Sequence, residues 1–252
     1  MVKIYRKRIQ IAPVGFEVDR VVLPAIREKA EKVYLMVHKD RSKDKATKYA
    51  TAIQRKLKAK NIETSLVYCD WENIEEITRV ARDLILKESS NEVAINLASG
   101  SKNHAIGLDR ACMTFRKRKH IHPFYPEAEK WTAWKYPKQQ STGVKKIKQI
   151  SIHRIIVPEP ELIEALKEIK KNSVHIPTKK GRVGIRKKDL AIAMYGDDSK
   201  QNLTKLQRNI TQKLKKPWFA IDIFDKVSRS DWISLNNEGE YLRYVLKNEE
   251  TY

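Results

Sequence analysis

Apolar runs of strand length alternate with helical stripes through the first half of the chain. Ile9-Gln-Ile-Ala-Pro13 predicts a strand, and a loop follows around Val14-Gly-Phe16. Val21, Val22, Ala25 and Ile26 share one face of a helix from about Val18 to Glu31. Val33 to His38 is continuously apolar, as a strand buried on both faces should be. Ala46, Tyr49, Ala50, Ile53 and Leu57 mark a charged helix from about Lys43 to Lys60. A strand from Ile62 to Cys69, a helix from Trp71 to Glu88, a strand from Val93 to Leu97 and a helix from about Asn103 to Arg118 continue the alternation. Between Ile121 and Ile152 the pattern breaks. Pro123, Pro126, Pro137, Trp131, Trp134 and the polar Gln139-Gln-Ser-Thr-Gly143 predict irregular strands and a loop there.

Repeated strand–helix units with strands this apolar predict an open parallel sheet covered by helices, a Rossmann-like α/β layer over residues 1–150. Ligands of such sheets bind beyond the carboxyl ends of the strands. Two turns fall there, Ala12-Pro13-Val14-Gly15-Phe16 and Ala98-Ser99-Gly100-Ser101-Lys102, and they can face one another. In the second, an apolar strand ends in small residues, a Lys follows and a helix begins. That order leaves unpaired N–H groups beside a cation, which suits a phosphate or another anion.

A second unit, residues 158–252, starts after Val157-Pro-Glu-Pro160, with Leu162, Ile163, Leu166 and Ile169 striping its first helix. A helix from Arg186 to Tyr195 is ended by Gly196, and another is expected from Ser199 to Lys215 with Leu203, Leu206, Ile210 and Leu214 inward. Phe219 to Phe224 and Trp232 to Leu235 predict a hairpin with Asp225 to Asp231 as its tip, and a last helix follows Asn236. This is the order of a winged helix-turn-helix, whose second helix enters the DNA major groove. Its outward face would carry Lys200, Gln201, Asn202, Lys205, Arg208, Asn209 and Gln212, and the wing tip Lys226 and Arg229. Gln, Asn and Arg pair with base edges and Lys suits phosphates, so double-stranded DNA is the expected partner. A helical bundle with a solvated polar face is the plainer alternative.

Charge strengthens the anionic readings. The net charge is +21 over 252 residues, with +15 on residues 1–150 and an excess of +8 within 116–148. Polyanionic partners follow from such a balance, although Lys-rich surfaces also arise as solvated faces. The Arg116-Lys-Arg-Lys119 run fits a solvated helix C-terminus set against the helix dipole. Cys69 and Cys112 lie among apolar residues without a CxxC, as buried thiols of a reducing cytoplasm do. The histidines (His38, His104, His120, His122, His153 and His175) are scattered, so no metal site and no catalytic triad is expected. His104, just after the Ser101 turn, stands between reaching a bound anion and a structural role. No signal-peptide pattern and no run of membrane length occurs, which predicts a soluble cytoplasmic protein. Neither GxGxxG nor GxxxxGK[ST] is present, so a dinucleotide cofactor and a P-loop are not expected.

Four segments together resemble the archaeal CARF (CRISPR-associated Rossmann fold) regulators that carry a C-terminal winged helix-turn-helix. They are Ile9 to Glu17, Asn96-Leu-Ala-Ser-Gly-Ser-Lys102, His122-Pro-Phe-Tyr-Pro-Glu127 and Gln139 to Val144. Ser99 departs from the Gly that many members of that family have. The resemblance implies a homodimer with one two-fold site across its interface for a cyclic oligonucleotide effector, often cyclic tetra-adenylate. Main-chain N–H groups of Ser99 to Lys102 and the Lys102 ammonium would then meet phosphates, and Gly15 and Phe16 would border the adenine or ribose.

A ligand-responsive transcriptional regulator is the reading expected, with no catalytic residue assigned. Two others stay open. A CARF-type ring nuclease would use Ser99, Ser101 and Lys102 to position and stabilise attack by a ribose hydroxyl. An unliganded DNA-binding protein would use its Rossmann-like half only to dimerise.

Overall fold

The computed structural model describes residues 5–115, 119–133, 135–136, 138–151, 157–228 and 230–246. The chain divides into two compact units, residues 1–156 and 157–252.

The first unit is a six-stranded sheet in the order β3-β2-β1-β4-β5-β6. Its strands are β1 (Arg8–Pro13), β2 (Lys32–His38), β3 (Glu63–Cys69), β4 (Glu92–Asn96), β5 (Ile121–Trp131) and β6 (Ser141–Gln149). β1 to β5 run parallel, and β6 returns antiparallel to β5. The parallel-rich α/β layer is Rossmann-like. The helices are α1 (Asp19–Arg27), α2 (Thr47–Lys58), α3 (Ile74–Lys87) and α4 (Lys102–Met113). Alternating side chains divide the core between the two sheet faces. Ala12, Val33, Leu35 and Val37 pack under α1 and α2, while Ile9, Ile11, Met36, Val93 and Ile95 pack under α3 and α4.

Of the stretch expected as irregular strands and a loop, the strands are long members of the sheet, and the described residues between 132 and 140 are not in strand. β5 pairs with β4 through Phe124, then leaves it for β6, with a register shift between Glu127 and Ala128. The prolines are accommodated because β5 changes partner at this point and needs no continuous two-sided ladder. α4 stops at Met113, short of the expected Arg118. Arg116, Lys117 and Arg118 lie outside the described residues, as do Trp134, Pro137, Ile152, His153 and Arg229.

Inside this unit, α1 is fixed by long-range side-chain bonds. Pro24 sits within α1 and has no N–H, so the carbonyl of Arg20 has no helical donor. The buried Asn96 side chain donates to that oxygen at 2.8 Å. The α1 N-terminus lacks a cap from Val18, and Gln139 Oε1 accepts from the N–H groups of Val18 and Asp19 at 3.0 and 3.2 Å. Arg20, only 2% exposed, pairs with Glu17 at 2.9 Å and donates to the Pro126 carbonyl. Ser141 donates to the same Glu17 carboxylate, so a buried ion pair ties α1 to the β5–β6 ribbon.

The second unit contains α5 (Pro160–Lys171), β7 (Val174–His175), β8 (Val183–Arg186), α6 (Lys187–Tyr195) and α7 (Lys200–Leu206). One π turn (Gln207–Thr211) carries α7 into α8 (Gln212–Lys215), followed by β9 (Ile221–Val227), β10 (Ser230–Leu235) and α9 (Asn237–Val245). The antiparallel sheet has the order β7-β8-β10-β9. Its core gathers Leu162, Leu166, Leu190, Leu206, Ile210, Leu214, Ile233 and Leu242. The turn between α6 and α7 uses Gly196 at φ 92°, which L side chains rarely adopt, and Ser199 caps α7. The hairpin strands run further than expected. Asp225 and Lys226 belong to β9, which ends at Val227, and Asp231 belongs to β10, which begins at Ser230.

Candidate ligand site and nucleic-acid surface

The turns after β1 and β4 meet at the carboxyl edge of the parallel sheet. The Gly15 N–H donates to Ser99 Oγ at 3.3 Å. A Cβ on Gly15 would lie 2.6 Å from the Gly100 nitrogen, so the two loops pack main chain against main chain. Gly100 has φ +82°, and a Cβ there would press on Pro13 and His104. Both glycines are therefore required by contact, and Gly100 by its backbone conformation as well.

This packing sorts the expected ligand residues into two groups. Pro13, Val14 and Ser99 are buried, Val14 with its N–H on the Met36 carbonyl. The Ser99 side chain is a tether between the loops, its Oγ accepting from Gly15. Gly15, Phe16 and Ala98 are partly exposed, and the Ala98 N–H is taken by Asn96 Oδ1. Gly100, Ser101 and Lys102 are exposed. Of these, Ser101 is partly engaged, because it caps α4 in a reciprocal box with His104. Its N–H donates to His104 Nδ1 at 3.2 Å, and its hydroxyl lies 2.9 Å from the same nitrogen. The Ser101 N–H is thus not available to a phosphate.

His104 is buried, and its role is structural. Burial, with a smaller contribution from nearby His38, pulls its pKa down from 6.5 to about 4. Because Nδ1 accepts from Ser101, the neutral ring carries its proton on Nε2, an atom without a hydrogen-bond partner among the described residues. Lys102 and Asn103 open α4, where N–H groups have no intrahelical acceptor. The first turn of α4 contains no acidic residue, so its positive end is uncompensated. What the turn offers an anion is the exposed Gly100–Lys102 edge, the Lys102 ammonium and this helix start.

The 138–143 segment, legible in the sequence only as a polar loop, completes the edge. The Gln140 N–H donates to the Phe16 carbonyl at 2.9 Å, and Tyr49 donates its hydroxyl to the Lys138 carbonyl at 3.0 Å. The Gly143 N–H reaches Asp19 Oδ2 at 3.1 Å. Burial raises the Asp19 pKa, but bonds from Gly143, Lys56 and Gln139 outweigh it and hold the carboxyl below its ordinary value. Cys69, by contrast, is an inert core thiol pushed up to about 12 by burial. Cys112 is buried too. Among the described residues there is no group of three His, Cys, Asp or Glu able to hold a metal ion, and no helix long and apolar enough to cross a membrane.

In the second unit, Gln201, Thr204, Lys205, Arg208, Gln212 and Lys215 are exposed along α7, the π turn and α8. Leu206, Ile210 and Leu214 fill the opposite side. Lys200 is exposed at the helix start. Three expected base readers make local bonds. Asn202 bonds Asp197 in the preceding turn at 2.8 Å, and Asn209 accepts from Arg208 Nε at 3.2 Å. Thr204 and Lys215 join the outward face, and the helical period itself places them there. Lys226 is exposed on β9. A cleft of about 380 Å³ separates the helix from the hairpin, lined by Lys187, Thr211, Lys215, Asp225 and Asp231 among others.

The family-model match lies within the Rossmann-like unit, and other matches run over most of the chain. Residues 8–131 match the family model described as HFX_2341_N:-like, N-terminal. Over 249 residues the chain is 25% identical to the uncharacterized protein MJ1513 of Methanocaldococcus jannaschii, spanning 89% of this chain and 70% of that one. Two solved structures are similar over most of the chain. Can2 from Sulfobacillus thermosulfidooxidans, in complex with cyclic tetra-adenylate, has TM-score 0.43 and 11% identity, covering 94% of this chain and 63% of that one. VC1899 from Vibrio cholerae has TM-score 0.41 and 15% identity, covering 95% and 66%. Csm6 from Enterococcus italicus, bound to cyclic hexa-2'-fluoro-hexa-dAMP, has TM-score 0.37 and 14% identity over 49% of this chain and 34% of that one. The chain thus spans from about a third to two thirds of the length of these solved proteins.

Proposed function

We propose that this chain is a homodimeric, ligand-responsive DNA-binding regulator. Its first unit takes a cyclic oligonucleotide, cyclic tetra-adenylate being the first probe to use, at the Gly100–Lys102 edge. Its second unit reads DNA as a winged helix-turn-helix. The observation that carries the reading is the outward face of α7–α8, where Gln201, Lys205, Arg208 and Gln212 stand exposed beside an antiparallel hairpin. Gln and Arg side chains on such a face match base edges, and the lysines match phosphates. Lys102 and the uncompensated start of α4 support an anionic effector. The ligand changes DNA affinity only by binding two dimer geometries unequally.

The test is footprinting on the DNA upstream of the protein's own coding sequence at increasing salt, with and without cyclic tetra-adenylate. A protected site that Gln201→Ala and Arg208→Ala each weaken roughly tenfold, and that shifts with the effector, supports the reading. Protection independent of sequence, or indifferent to both substitutions, overturns it. Resolving the nucleotide after incubation separates sensor from ring nuclease, since an intact ring belongs to a sensor.

A further inference from the structure

The sequence pattern places candidate ligand residues only in the turns after β1 and β4. A third element stands at the same sheet edge. The Lys138 N–H donates to the Lys135 carbonyl at 2.8 Å, closing a turn with Tyr136 inside it. The turn is pinned by the bonds from Tyr49 to Lys138 and from Gln140 to Phe16. Tyr136 nevertheless leaves 46% of its surface in solvent. Its ring lies edge-on to Tyr49 at 6.3 Å, and Tyr49 lies 5.3 Å from Phe16, so three aromatic rings lead from the glycine contact out to solvent.

The charge around this outermost ring is one-sided. Lys48 Nζ stands 5.4 Å from the Tyr136 ring centre. Lys135 and Lys138 flank it in the turn, and Arg41, Lys43 and Lys45 are exposed on the loop that leads into α2. The carboxylates of that loop are turned to its own main chain. Asp40 accepts from Ser42, and Asp44 accepts from the Ala46 N–H. A half-exposed aromatic ring with a lysine beside it and two more in its own turn is the pairing that binds a nucleobase on its face and the adjoining phosphates on the cations.

We infer that Tyr136 is a base-stacking platform of the effector site, with Lys48 as its phosphate partner. This rests on the effector reading above and extends it. Tyr136 is two ring contacts removed from Phe16, which follows Gly15 at the contact with Gly100, so a base on Tyr136 and a phosphate at Gly100–Lys102 fit an effector of more than one nucleotide.

Fluorescence anisotropy of labelled cyclic tetra-adenylate on the full-length chain tests this. Tyr136→Ala should weaken binding about tenfold or more, the range that loss of one stacking platform gives. Tyr136→Phe, which keeps the ring, should stay within about twofold of the unaltered chain, and Lys48→Gln should weaken binding about threefold at low salt. Thermal melts of each variant identify any fold defect, and exposed Lys48 supplies an independent arm if Tyr136→Ala melts early. Undiminished binding by both Tyr136→Ala and Lys48→Gln, with Lys102→Ala still harmful, refutes the platform and leaves the effector site standing. Absence of saturable binding by the unaltered chain refutes the effector reading and the platform with it.

Discussion

Asn96 donates its side-chain amide to the main-chain oxygen of Arg20 at 2.8 Å, the oxygen that Pro24 leaves without a helical donor. The same Asn96 accepts from the Ala98 N–H at 3.0 Å. One side chain at the end of β4 therefore supplies the donor missing in α1 and shapes the start of the turn after β4. Asn96→Ala should destabilise the first unit by about 2–4 kcal/mol, since it leaves a buried carbonyl and an N–H unpaired. Pro24→Ala returns a helical donor to Arg20. In that background the Asn96→Ala penalty should shrink by about 1 kcal/mol, and urea melts of the double-mutant cycle measure the difference.

His104 makes the turn pH-sensitive. Its pKa lies at about 4 in the folded chain against 6.5 for an ordinary histidine. Between these values the unfolded chain binds the extra proton and the folded chain does not. This contribution is complete above about pH 6.5 and is lost as pH falls toward 4, roughly 3 kcal/mol in all. Protonated Nδ1 also cannot accept from the Ser101 N–H, so the α4 cap opens only as pH falls through about 4, where the folded chain itself takes up the proton. Stability measured across pH 4 to 7 should flatten in His104→Gln relative to the unaltered chain.

Gly15→Ala should part the two loops, because the new Cβ would lie 2.6 Å from one main-chain atom of Gly100 and 2.9 Å from another. The expected cost is about 1–3 kcal/mol. Ser99→Ala, which only removes the acceptor for the Gly15 N–H, should cost about 1–2 kcal/mol. Chemical denaturation ranks the two. A Gly15→Ala chain as stable as the original would show that the contact between the loops is dispensable.

Much of the scaffold is legible in the sequence. Ile9 to Pro13, Val33 to His38 and Val93 to Leu97 read as strands because short, largely apolar runs bounded by turns survive any detail of packing. Leu206, Ile210 and Leu214 read as the inner side of a helix for the same local reason, and that fixes which way Gln201, Lys205 and Arg208 point. The site is less legible. Ser99 sits in a small-residue turn whose main-chain N–H groups are read as phosphate partners, and nothing in the sequence records that its buried side chain bonds Gly15. Asn202 looked outward by composition, yet Asp197 holds it in the turn. Tyr136 gave no periodic signal at all, because one residue in an irregular loop has no period.

The sequence by itself determined the alternation of strand and helix, the two turns at one sheet edge and the charged helix face of the second unit. These follow from local periodicity, which a side chain obeys whatever lies beyond its own element. Only the tertiary structure decided that Gln139 caps α1, that Asn96 answers Pro24, and that His104 closes on Ser101 and not on a ligand. Such partners are chosen by which main-chain groups are left unpaired nearby in space. Several of these groups lie far away in the chain, and no spacing along it records them.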